Sequence, residues 1–281
     1  MEPLTEEIFK NLEQKARDIR ISIIEMLTEA GSGHLAGPLG MSDIFALFYF
    51  HILRHDPKNP LWEERDRLVL SNGHICPVLY SAMAHAGYFP LEELKTLRKF
   101  GSRLQGHPHR EFLPFVETSS GPLGEGLSQA VGMALAERID NPVSEKYFYC
   151  FTGDGELDEG QIWEAALLAG KEKLKNLIVV VDRNNIQIDG PTDKVMPLDP
   201  LKMKWESFGW NAEEVDGNDI RALYQAVSQM KERKDGPNVI IAKTIPGKGI
   251  PEIEGKFEWH GKTPTKEETE RFLEILQANK E

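Results

Sequence analysis

Only two cysteines, Cys76 and Cys150, occur in the 281 residues. That excludes the disulfide framework by which small secreted domains are stapled, and the apolar surroundings of both thiols mark them as reduced core residues. Basic residues are also in short supply. The chain carries 33 Lys and Arg against 45 Asp and Glu, a net charge of −12, which argues against a nucleic-acid partner. Long apolar runs are missing: the longest, Ile44 to Leu53, is interrupted by His51 and is about half of what a bilayer needs, so no membrane association is expected. The acidic start, Met1-Glu2-Pro3-Leu4-Thr5-Glu6-Glu7, lacks the apolar stretch of a secretory leader. Repeats, low-complexity tracts and Gly/Ser linkers are absent as well. With 40% hydrophobic residues the chain can bury one large core, and a single domain over residues 1–281, soluble and cytoplasmic, is expected.

What the chain does have is an alternation of helix and strand signals, the pattern of an α/β layer fold. Ile8, Leu12, Ile19, Ile23, Met26 and Leu27 form one stripe of a helix from Thr5 to Glu29, stopped by Gly31. Met41 to Leu53 reads as a nearly all-apolar buried helix, and Arg67 to Leu70 as a short strand leading to Ser71-Asn72-Gly73-His74. Further strands are expected at Gly209 to Val215 and Asn238 to Thr244, with an amphipathic helix at Ile220 to Lys231 between them. Thr265 and Glu268 have capping-box spacing for a final helix, Lys266 to Ala278.

The apolar run Tyr147 to Phe151 reads as a buried strand that opens onto Phe151-Thr152-Gly153-Asp154-Gly155-Glu156-Leu157-Asp158-Glu159-Gly160. Thirty residues after Asp154 stands Asn184, in Asp182-Arg183-Asn184-Asn185, directly after a second apolar run, Leu177-Ile178-Val179-Val180-Val181. The glycines allow a tight turn, and Gln161 to Lys171 reads as a helix whose N-terminus faces it, an arrangement that holds phosphates. Asp154 would repel a diphosphate by roughly 4 kcal/mol per charge pair at about 4 Å and an effective dielectric near 20. A helix N-terminus returns only about 0.3 to 1 kcal/mol. A cation must therefore intervene, and Mg²⁺ or Ca²⁺ fits a shell of a carboxylate, the Asn184 amide oxygen, a backbone carbonyl, water and phosphate oxygens. The interval from 147 to 182 has the length of a strand, crossover helix and parallel strand, which sets both donors at the carboxyl ends of neighbouring strands, where open α/β sheets bind ligands.

Gly153-Asp154-Gly155 with the later Asn184 resembles the thiamine diphosphate motif, and the surrounding sequence resembles transketolase. Ser32-Gly33-His34, Gly37-Pro38-Leu39-Gly40, Ser71-Asn72-Gly73-His74, Gly106-His107-Pro108, Gly121-Pro122-Leu123-Gly124 and Trp259-His260-Gly261 stand in the family's order across nearly the whole chain. The resemblance implies a thiamine diphosphate-binding fold, a mainly parallel sheet flanked by helices on both faces. It corresponds to the N-terminal half of a transketolase.

By the same resemblance, Asp154, Asn184 and the carbonyl of Ile186 hold the metal, Mg²⁺ with Ca²⁺ or Mn²⁺ as substitutes. His34, His107 and His260 reach the sugar and the reactive end of the coenzyme, and His74 and His260 lie near the diphosphate. Gly121, Leu123, Gly153, Gly155 and Glu159 become coenzyme contacts, and Glu159 and Glu164 face a partner subunit. Residue by residue, plainer readings remain: a histidine beside glycine is commonly a turn residue, Gly121 to Gly126 can be a plain start of a helix at Leu127 to Arg138, and glutamates suit the first turn of a helix.

The implied reaction is transfer of a two-carbon ketol unit from a ketose phosphate to an aldose phosphate. The pyrimidine-binding domain has no counterpart in this sequence, so a C-terminal transketolase subunit carrying it is the expected partner, in an α₂β₂ assembly. Leu35-Ala36 departs from the proline and glycine common in transketolases and leaves room for a related specificity. The alternatives are a 1-deoxyxylulose-phosphate-synthase-like or other sugar-specialised thiamine transferase, and a cofactor-binding subunit without catalysis.

Overall fold

A computed structural model describes residues 2–278. The first helix, α1 (Glu6–Ala30), starts where the Thr5 hydroxyl accepts from the Ile8 N–H and ends where Gly31, at φ 64°, returns its N–H to Leu27. The expected Met41 to Leu53 helix is instead broken and begins earlier. It comprises α2 (Ala36–Gly40), α3 (Ser42–Leu47) and a wider turn over Phe48–Ile52. Gly37 and Pro38 do not stop it, because proline is tolerated in a first turn, and the Ser42 hydroxyl donates to the Pro38 carbonyl at the joint.

After strand β1 (Arg67–Leu70) comes α4 (Cys76–Ala86), a helix so apolar on every side that its periodicity carries no signal. Then follow α5 (Glu125–Asp140), β2 (Phe148–Gly153), α6 (Gly160–Lys171) and β3 (Leu177–Asp182). A small hairpin of β4 (Ile186–Gln187) and β5 (Gly190–Pro191) leads into α7 (Thr192–Val195) and α8 (Leu201–Ser207). The chain finishes with β6 (Asn211–Asp216), α9 (Ile220–Glu232), β7 (Asn238–Lys243) and α10 (Lys266–Ala278). Gly209, expected in a strand, sits at φ 81° in the turn closing α8, which delays β6 to Asn211.

Five strands form one parallel sheet in the order β1-β2-β3-β7-β6. Alternate residues of the central strands enter opposite cores. Tyr149, Phe151, Ile178, Val180 and Ile240 pack with α1, α3, α4, α9 and α10, whereas Phe148, Cys150, Leu177, Val179 and Ile241 pack with α5, α6 and α8. This is the expected α/β arrangement, with helices on both faces and the central strands β2, β3 and β7 largely apolar because neither of their faces meets water, whereas the edge strand β6 is polar and partly exposed. Both cysteines are free and buried, and burial pushes the Cys76 thiol up to about 12, out of reach of ordinary redox chemistry. Among the described residues no helix is long and apolar enough to cross a membrane.

One glycine fixes where α5 sits against the sheet. A Cβ on Gly126 would overlap Cβ and Oγ of Ser71 and stand 2.7 Å from its Cα, just beyond β1. Gly126→Ala is therefore expected to destabilise the fold by about 1–3 kcal/mol through overpacking, read as a lower urea midpoint at unchanged slope. An unchanged midpoint would show that Ser71 yields freely.

Candidate active site

Strand ends converge at one edge of the sheet. β1 runs out into Asn72 and His74, β2 into Asp154, and β3 into Asn184. With the loop after α1, the turn before α5, the β4–β5 hairpin and His260, they line a cavity of about 350 Å³, within the size range of small-molecule sites. His34, His74, His107, Gly121, Leu123, Gly153, Asp154, Gly155, Asn184, Ile186 and His260 all border it. Glu159 does not: it is exposed, packed against Gly124 outside the cavity, and Glu164 is exposed on α6. The helix expected from Gln161 to Lys171 is present as Gly160–Lys171, but its N-terminus does not face the turn as expected. A tight 3₁₀ turn, Gly155–Asp158, follows Asp154, so the N-terminus of α6 does not border the cavity.

Asp154 joins the ends of β2 and β3. Its Oδ1 accepts the Gly155 N–H at 2.8 Å, and its Oδ2 accepts the Asn185 N–H at 2.7 Å and the Arg183 guanidinium at 3.3 Å. Arg183 is itself buried and donates to the Thr192 hydroxyl at 3.0 Å. Asn184 donates to Asp182 at 2.9 Å and accepts the Ile186 N–H at 3.0 Å, which fixes its amide orientation and leaves Oδ1 a second lone pair. Asp182 also accepts the Thr244 hydroxyl. Burial pushes Asp154 up to about 6, against its hydrogen bonds and Arg183, and pushes Asp182 up to about 7, with the Asp154 charge adding to the rise. Two buried carboxylates, of which only Asp154 is met by a guanidinium, suit a further cation. Among the described residues no three His, Cys, Asp or Glu side chains form a ready metal cage. The donors here are oxygens that need a ligand's phosphates and water to complete a shell, the habit of Mg²⁺.

A sequence profile for the transketolase thiamine diphosphate-binding domain matches residues 12–280. The chain belongs to the transketolase family. It is 43% identical over 257 residues to a 6-deoxy-6-sulfo-D-fructose transketolase subunit of a Clostridium strain, covering 92% of this chain and 93% of the relative. It is 41% identical over 270 residues to one of the subunits of the apulose-4-phosphate transketolase of Actinobacillus succinogenes, covering 96% and 97%. Against rat transketolase the identity is 40%, covering 95% of this chain but 42% of the relative. The crystal structure of Campylobacter jejuni transketolase superposes with a TM-score of 0.90 at 38% identity, over 95% of this chain and 43% of that one. The chain thus spans less than half the length of full transketolases and nearly all of the subunit relatives.

In this transketolase-family domain the cavity at the strand ends is bordered by buried polar atoms without partners. Both amide atoms of Asn72 and Nδ1 of His34 and of His260 are buried without a hydrogen bond among the described residues. Those atoms, with the glycine-lined floor, fit a polar coenzyme. The rings of His34, His74 and His260 stand 4.9 to 5.5 Å apart, and His107 packs beside Gly121. Asn72, Glu156, Asp182 and Arg183 escape sequence reasoning, although Asn72 and Glu156 lie inside recognisable motifs and Asp182 and Arg183 directly precede Asn184.

Burial keeps these imidazoles neutral. It is the first cause lowering His34, His74, His107 and His260, with the Arg98 guanidinium adding to the fall at His34 and His107. His34 falls to about 4. The folded chain therefore holds His34 unprotonated between its ordinary value and about 4, where the unfolded chain binds a proton, so its contribution to stability is present above pH 6.5 and lost as pH falls towards 4. A histidine NMR titration should show the His34 ring neutral at pH 6 and titrating near 4; titration near 6.5 would contradict this environment.

Proposed function

We propose that this chain is the coenzyme-holding half of a two-subunit transketolase that moves a two-carbon ketol unit from a ketose phosphate to an aldose phosphate. The observation that carries the reading is one pocket combining buried oxygen donors at two strand ends with four neutral imidazoles, on a chain that aligns along its length with relatives named as transketolase subunits. The sugars in those relatives' names are specialised ones, which favours a dedicated sugar over a general role.

In this reading Asp154, Asn184 and the Ile186 carbonyl hold Mg²⁺ and, through it, the diphosphate. Gly153 and Gly155 admit the phosphates closely, and His74 and His260 face them. Gly121 and Leu123 receive the ring system, Leu123 being an exposed leucine otherwise without reason at a polar rim. Bound thiamine diphosphate supplies the nucleophilic carbon and electron sink for breaking and making the carbon–carbon bond. His34, His107 and His260 orient sugar hydroxyls and hold or release a proton at a ring nitrogen, which a neutral imidazole does without a standing positive charge. Glu159 and Glu164, outside the cavity on an exposed surface, face the partner that brings the pyrimidine-binding domain, in an α₂β₂ assembly.

Two measurements test the reading. By calorimetry, thiamine diphosphate should bind with its partner subunit present only when a divalent cation is available, and Asp154→Ala or Asn184→Ala should weaken binding by about tenfold or more. Binding that survives chelation would remove the metal from the site. In activity assays the pure chain should give negligible ketol transfer, and adding a C-terminal transketolase subunit should restore it. Robust transfer by this chain alone would overturn the division of the enzyme between two chains.

A further inference from the structure

At the opposite end of the sheet lies a larger cavity, about 730 Å³, that the family reaction does not use. Tyr147, just before β2, and Asn176, just before β3, form part of its wall, and the C-terminal turn of α9 forms another. β2 runs from this cavity to the Asp154 loop, about 20 Å at about 3.3 Å per residue.

Its charge runs against that of the chain. Arg54, Lys146, Lys175, Lys231 and Lys234 border it, opposed by Glu2, Glu145 and Glu232, although the whole chain is net −12. Lys146 is spoken for by Glu64 and Glu137. Lys234 donates to the Lys231 carbonyl at 2.6 Å, and the Tyr147 hydroxyl donates to the same carbonyl at 3.1 Å, so the negative end of α9 is already capped.

Lys231 is different. Its ammonium lies over the rings of Tyr147 and Tyr149, 4.6 and 5.6 Å from their centroids, with no carboxylate in ion-pair range among the described residues. Burial lowers its pKa, Asp66 opposing and Arg54 adding to the fall. Asp66 is itself buried, its carboxylate turned to the backbone N–H groups of Arg54 and Tyr147. The hydroxyl of Tyr149, one of the two rings under this cation, is buried and without a partner among the described residues. A half-buried ammonium held by aromatic faces, with its nearest carboxylate turned to backbone N–H groups rather than paired with it, is costly unless an anion completes it.

We propose that this cavity is a second binding site, taking a small phosphate-bearing metabolite whose phosphate sits on Lys231 and Arg54. An ammonium and a guanidinium-bearing residue bordering one cavity match a compact dianion with several acceptor oxygens better than a single carboxylate. The volume leaves room for the rest of a phosphorylated small molecule.

The test uses the full chain saturated with thiamine diphosphate and Mg²⁺, titrated with inorganic phosphate by calorimetry, so that the diphosphate pocket does not report. Saturable binding is expected for the natural chain, about tenfold weaker in Lys231→Met and severalfold weaker in Arg54→Met, and unchanged in Lys266→Met, which alters an exposed lysine on another element. Arg54→Met decides the matter if Lys231→Met fails to fold, as judged by circular dichroism. The proposal is overturned by absence of saturable phosphate binding, by equal loss in Lys266→Met, or by acetate binding as tightly as phosphate.

Discussion

A glutamate within a run of acidic residues ordinarily faces water, yet Glu156 turns inward and is almost fully buried. Its carboxylate accepts the N–H of Gly124 at 2.7 Å, the N–H of Gly153 at 3.0 Å and the hydroxyl of Ser71. Three separate segments, the end of β1, the turn before α5 and the exit of β2, are thereby tied to one charge. The charged form is costly in that setting, and burial raises the Glu156 pKa while the three donors oppose the rise. Ser71 in turn accepts the Gly126 N–H at 3.1 Å, so the first N–H groups of α5 are consumed inside the fold rather than left free for a ligand. The geometry of the cavity at the strand ends rests on this clamp, since every segment that Glu156 holds contributes to or adjoins its wall.

Much of this is legible in the sequence where local chemistry decides the outcome. The Gly31 stop and the Thr265–Glu268 capping box stand where the sequence puts them, the latter with reciprocal bonds of 2.8 and 3.2 Å. The strand Arg67–Leu70 and the adjacency of β2 and β3 also follow from apolar runs and a crossover length. The histidines are visible because glycines flank them. Their neutrality is not, since it depends on burial and mutual proximity that only the tertiary fold creates.

The misses have physical causes. Glu156 looks like one more solvated charge beside Asp158 and Glu159, and nothing local signals that its side chain reverses direction. Gly37 and Pro38 look like a loop but are absorbed into α2, because the first turn of a helix has no N–H to lose. α4 is buried all round and offers no amphipathic stripe. Arg183 lies in full view within the Asp182–Asn185 run, yet its bond to Asp154 requires β2 and β3 to be neighbours before it has meaning.

That adjacency reaches further than the fold. Gly153 pairs with Asp182 in the ladder between β2 and β3, and the two oxygen donors extend one and two residues past that pair. The spacing of the strand ends that carry them is therefore set by the pitch of a hydrogen-bonded sheet, about 4.8 Å between strands. An ion seated between Asp154 and Asn184 would meet donors whose backbone anchors are held at that spacing, whatever the rim around them. Evolution of such a chain towards a new sugar can rework the rim freely, while the spacing of the two strand ends stays locked to the sheet.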